Sequence, residues 1–126
     1  MKRLTIVSLI VLASFVPLTA HHSFDAEYDA AKIQNLTGTV TKVDWVNPHA
    51  YVYFDVKDAK GDVQNFRVEL GPPYALTRGG WKRDTVKIGD TVTVEKAAMT
   101  KDGSNAAGAS YDTYMIVASG QRLAMR

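Results

Sequence analysis

The side chains best suited to chemistry in this chain are its three histidines, His21, His22 and His49. Neutral imidazole suits copper, zinc and nickel, and affinity for such sites peaks at Cu(II). The sequence holds no cysteine, so thiolate catalysis and thiolate metal sites are excluded. An N/O site in an exported protein therefore favours copper or zinc. His21 and His22 fall where a signal peptide should end. A cut after Ala20 would make His21 the first residue, and its amine and ring could chelate one ion together. His22 or His49 would then complete a brace. A cut after Thr19 would instead leave Ala20-His21-His22, in which the third residue binds Cu(II) together with the amine and the intervening backbone nitrogens. If the fold brings the new N-terminus to His49, all three imidazoles share one site. The competing reading is structural: a polar, flexible start to the chain and a His49 that only fixes its turn.

Other constellations are weaker. Asp25, Glu27 and Asp29 can add an oxygen ligand or orient an imidazole from behind, or they form a solvated face. Asp44, Asp55 and Glu69 are the carboxylates available for acid/base work. Ser23, Ser104, Ser110 and Ser119 have neither a nucleophile elbow nor a lysine partner. No phosphate loop or dinucleotide fingerprint is present. Trp45, Tyr51, Tyr53 and Trp81 make up a second candidate site, an aromatic surface of the kind that small β-barrels use to stack on bases or sugars.

The elements that must position these residues begin after an export signal. Met1-Lys2-Arg3 is a positive start, Leu4 to Val16 is almost wholly apolar, and Pro17-Leu18-Thr19-Ala20 ends in small residues. This is the pattern of a signal peptide over 1–20, and its apolar run is shorter than the roughly 20 residues of a membrane span. A retained anchor is the alternative. Removal of Lys2 and Arg3 takes the basic count from 15 to 13, equal to the 13 acidic residues. A mature chain this near neutrality lacks the footprint for nucleic acid or anionic membrane. The cluster of Arg78, Lys82, Arg83 and Lys87 is interrupted by Asp84 and Asp90 and reads as a solvated face. Residues 21–126 form one domain, large enough to fold without disulfides.

Within that domain, Leu36 to Val46 favours a strand whose apolar positions change phase. Leu36, Val40, Val43 and Trp45 cannot all face one side, and Gly38 marks a bulge or bend. After Asn47-Pro48, Tyr51 to Val56 alternates, with Val52, Phe54 and Val56 on one face and Tyr51, Tyr53 and Asp55 on the other. Asp58 to Asp62 is a turn with Gly61 at positive φ, and Val63 to Leu70 is the returning strand of a hairpin. Pro72-Pro73 and Gly79-Gly80 bracket one short helix, with Trp81 packing back over the core. Thr91 to Lys96 and Thr113 to Ala118 are the last strong strands, and Ala106 to Ser110 is small and featureless. Five antiparallel strands, the first one bent, with a helix after the third, predict an all-β fold: a small five-stranded OB-like barrel with one short helix between strands 3 and 4. An open β-sandwich is the alternative.

The blocks His21-His22-Ser23-Phe24, Gly38-Thr39-Val40, Val43-Asp44-Trp45-Val46-Asn47-Pro48-His49-Ala50, Gly71-Pro72-Pro73, Gly80-Trp81 and Lys101-Asp102-Gly103-Ser104 together resemble a family of small exported bacterial proteins known only as a domain of unknown function. The resemblance covers nearly the whole mature chain. More loosely, the order of strands and turns is similar to periplasmic bacterial OB-fold proteins of stress-response type. The resemblance implies fold and compartment, and no activity.

The expectation is therefore a periplasmic binding module rather than an enzyme. First, it binds copper, zinc or another divalent transition metal through His21, His22 and His49. Second, it recognises a small ligand or a protein partner through its aromatic surface, with structural histidines. Third, it is a hydrolase using paired carboxylates or a metal-activated water.

Overall fold

The computed structural model describes residues 24–126, so the predicted signal peptide over 1–20, and His21 and His22 with it, lie outside the described residues. A helical turn at 24–27 leads into β1 (Tyr28–Asp44), followed by β2 (Tyr51–Lys57) and β3 (Val63–Glu69). Helix α1 (Pro73–Arg78) comes next, then β4 (Thr91–Thr100), β5 (Ala106–Gly108), β6 (Tyr114–Ile116) and β7 (Arg122–Ala124). Among the described residues the fold is mostly β. The seven strands form one sheet in the order β1-β2-β3-β5-β4-β6-β7, and a further β1–β4 pairing closes the first five into a ring.

The predicted bend of the first strand explains how that ring closes. β1 pairs with β4 over Tyr28 to Thr39 and with β2 over Gly38 to Asp44, so it changes partner around Gly38. A Cβ on Gly38 would lie 2.1 Å from the Asp55 carbonyl oxygen, a distance only a hydrogen tolerates. The strand starts earlier than Leu36, at Tyr28, because this stretch pairs with β4 through Tyr28, Ile33 and Gln34, and its residues 30–35 are exposed. An exposed segment needs no apolar alternation, and its sequence carries none.

β2 and β3 match the predicted hairpin, with Val52 facing Val68 and Phe54 facing Phe66 inside the ring. Its turn forms as expected: Gly61 has φ +85° and Asp58 Oδ1 accepts the Lys60 and Asp62 amides. Helix α1 lies where predicted, with proline in its first turn and Leu76 buried.

Two expectations about closure are corrected. The fifth ring strand is Ala106–Gly108 rather than Thr113 to Ala118, and it runs parallel to β3, so the ring is not wholly antiparallel. The residues that looked featureless are small because they must be: a Cβ on Gly108 would come within 2.6 Å of the Tyr28 ring and 2.7 Å of Phe24. Tyr114–Ile116 instead forms a hairpin with β7 outside the ring. β4 serves both neighbours through a bulge. Leu36 pairs with Val94 and Gln34 with Ala97, so three residues of β4 span two of β1, and Lys96 takes φ +57°. Before the bulge β4 pairs with β6, and after it with β5.

The core fills the ring with Val40, Val52, Phe54, Val68, Val94 and Met115, all almost inaccessible. Among the described residues no helix is long and apolar enough to cross a membrane.

Candidate functional site

The loop joining β1 to β2 carries His49, and backbone bonds fix where it sits. The Ala50 amide donates to the Gly71 carbonyl at 3.2 Å, and the Leu70 amide donates to the Ala50 carbonyl at 2.9 Å. These bonds extend the β2–β3 ladder by one step, so residue 49 lies beside the outgoing end of β3. Glu69 is the last residue of that strand and faces Tyr51.

The Glu69 carboxylate has two partners. Oε1 makes a short contact with His49 Nδ1, and Oε2 accepts the Tyr28 hydroxyl at 2.8 Å. Tyr28 is 2% exposed, its ring lying on Gly108 and tilted at 48° to Phe24 with centroids 5.0 Å apart. Burial first, and the Glu69 carboxylate second, push the Tyr28 phenol far above its ordinary value. The phenol therefore stays protonated and always donates. The Arg126 guanidinium lies 5.3 Å from the Phe24 ring centroid and 5.0 Å from that of Tyr111.

Phe24, His49, Glu69, Gly71, Ala109 and Arg126 line a pocket of about 80 Å³. Organic ligands occupy clefts of about 300–1,000 Å³, so this space suits an ion with a few waters. The side chain of His49 is 34% exposed, and that of Glu69 16%. A carboxylate on Nδ1 takes the N–H of a neutral imidazole and leaves a bare lone pair on Nε2. Such a nitrogen can ligate a metal or accept a proton. Among the described residues no hydrogen bond engages Nε2, and no group of three or more His, Asp or Glu side chains gathers for a metal ion.

The remaining candidates have separate places. Glu27 pairs with Arg67 at 2.9 Å, Asp29 accepts the Ala31 amide at 2.9 Å, and Lys101 donates to the Asp25 carbonyl. None of these acidic residues lines the His49 pocket. Nor do the other carboxylates pair with one another: Asp44 is 3.2 Å from Lys42, and Asp55 accepts from Asn65 at 2.9 Å. Tyr51 and Tyr53 lie half-buried on the outer face of β2, with Arg67 5.2 Å from the first ring centroid and Lys42 5.0 Å from the second. Burial, with Glu69 next, also raises the Tyr51 phenol above its ordinary value. Trp81 is 2% exposed and donates its indole N–H to the Ala124 carbonyl at 2.7 Å, so it packs in the core. Trp45, Tyr51 and Trp81 do meet, around a crevice of only about 10 Å³.

Sequence reading overlooked Glu69 as the partner of His49, and overlooked Tyr28 and Arg126 altogether. Glu69 had a signal: counting the hairpin back from the Asp58–Asp62 turn sets it opposite Tyr51, two residues past His49. Tyr28 and Arg126 had none, since only the closed ring brings them there.

A family model described as a family of unknown function (DUF6152) matches residues 9–110, and the chain belongs to that family. No curated protein and no solved structure matches the chain.

Proposed function

We propose that this is a small exported binding protein that holds one divalent transition-metal ion, Cu(II) or Zn(II), in the His49 pocket, with further donors from His21 and His22. One observation carries the reading. Phe24 lines the same pocket as His49, and His22 precedes Phe24 by two residues, about 7 Å of extended chain. The volume of this pocket is too small for most organic ligands, and the Nε2 of His49, unengaged among the described residues, agrees with an ion there. Carriage, delivery or buffering of the metal is the role such a site would serve.

The same reading takes residues 1–20 as a signal peptide removed on export to a bacterial periplasm, and residues 21–126 as an OB-like barrel. The ring order β1-β2-β3-β5-β4, with its helix between β3 and β4, supports that assignment.

The test uses exported protein purified from its host. Intact mass locates the cleavage site, and calorimetric titration with Cu(II) follows on wild type and His49→Ala. Tight one-to-one binding is expected, weakened by the substitution more than about 100-fold, the upper end of what loss of an outer-shell partner costs. Weak binding that His49→Ala leaves unchanged overturns the reading. It would favour recognition of a small ligand or protein partner by the outer face of β2, where Tyr51 and Tyr53 each carry a cation against the ring.

A further inference from the structure

We infer that Glu69, held from behind by Tyr28, is the positioning residue of this site, fixing the His49 ring so that Nε2 is the nitrogen offered to a metal. The inference deepens the metal reading and rests on it for its purpose, but its geometry stands apart from any ion.

A ligating histidine commonly gives its second ring nitrogen to a carboxylate, which sets the tautomer, fixes the ring and raises its basicity. His49 and Glu69 already have this arrangement, with Nδ1 on Oε1. A carboxylate can hold a ring in one orientation only if it is itself held, and the Tyr28 hydroxyl on Oε2 does that. Tyr28 in turn cannot swing away. Its ring is buried against Gly108 and Phe24, and the backbone on either side of the arm is tied down: Lys101 donates its amide to the Glu27 carbonyl at 3.0 Å, and Tyr28 pairs with Thr100. The chain Tyr28–Glu69–His49 therefore runs from a rigid, buried phenol to a half-exposed imidazole. It also joins the segment that enters the ring from residue 24 to the loop that carries His49. The arm and the imidazole are thus held by opposite oxygens of one carboxylate.

The deciding measurement needs no metal. Nitrogen-15 NMR of the His49 ring, at a pH where it is neutral, reports which nitrogen carries the proton. Wild type should show Nδ1–H with a bare Nε2. Glu69→Gln keeps the side-chain volume but removes the charge and one acceptor, and it should give a mixture of tautomers. Its Cu(II) affinity should fall 10–100-fold. Tyr28→Phe keeps the ring and removes only the hydroxyl. It should retain the fold and shift both readouts in the same direction by a smaller factor. A mixed tautomer in wild type overturns the inference. So does Glu69→Gln that folds, keeps Nδ1–H and binds Cu(II) as tightly as wild type. A wild type that shows pure Nδ1–H, responds to both substitutions and yet ignores Cu(II) upholds the positioning role and overturns the metal reading alone.

Discussion

Two hollows flank Leu70, which lines both. On one side Trp45, Tyr51 and Trp81 surround about 10 Å³, the room of a single water. On the other, His49, Glu69 and Arg126 border about 80 Å³. The aromatic side is the one a sequence nominates for recognition, because its residues are large and distinctive. Yet Trp81 lies within the core and its only polar atom is bonded to Ala124. The polar side has a modest composition, one histidine, one glutamate and one arginine, and it has more room and a ring nitrogen that no other described residue engages. Large aromatics reveal where a fold is held together. Space beside a fixed polar group reveals where it can bind.

That contrast can be broken from either side. The largest effect should come from Trp81→Ala, which removes a fully packed ring and leaves the Ala124 carbonyl without its donor. Denaturant unfolding should show a loss of about 3–5 kcal/mol. Metal affinity of the protein that remains folded should be untouched, and a parallel loss of affinity would mean the two hollows are one unit. Gly108→Ala tests the opposite side. Its methyl group would collide with both Tyr28 and Phe24, so the arm must shift at a cost of about 1–3 kcal/mol. Here Cu(II) affinity should fall together with stability, because Glu69 loses the hydroxyl that steadies it. Equal affinity in a destabilised Gly108→Ala would detach the arm from the site.

The smallest effect lies in alkaline solution. The Tyr28 and Tyr51 phenols both ionise less readily in the folded chain than at their ordinary value of 10.0, chiefly through burial. A raised folded value means the folded state keeps its protons while the unfolded state releases them. Their contribution is therefore complete below pH 10 and declines as pH rises beyond it. Unfolding free energy measured across that range should slope downward, and Tyr28→Phe should flatten the slope. An unchanged slope would mean that Tyr28 does not supply it.

The legible and illegible parts of the fold separate on physical grounds. The β2–β3 hairpin was readable because each strand has one buried and one outer face, and because Gly61 and Asp58 fix the turn between them. The bend at Gly38 showed in the broken phase of β1. Closure was not readable. Ala106–Gly108 has no side chain large enough to leave a pattern, and its identity is set by the rings of Tyr28 and Phe24 lying on it. Tyr114–Ile116 carries the stronger strand signal, yet the bulge at Lys96 diverts it away from the ring. At the site, His49 stood out by type and by its place after Asn47-Pro48. Its partner Glu69 needed the hairpin register, and Tyr28 needed the closed ring.

The position of Arg126 bears directly on how this protein should be handled. Its side chain borders the His49 pocket and its backbone passes within 3.1 Å of where a Cβ on Gly71, another lining residue, would sit, so a tag fused to it would begin beside the pocket. A polyhistidine tag fused there would place a row of imidazoles beside His49. It would bind copper on its own account, or take the place of His21 and His22 as donors beside His49. Tagged material would thus report an affinity belonging to the tag.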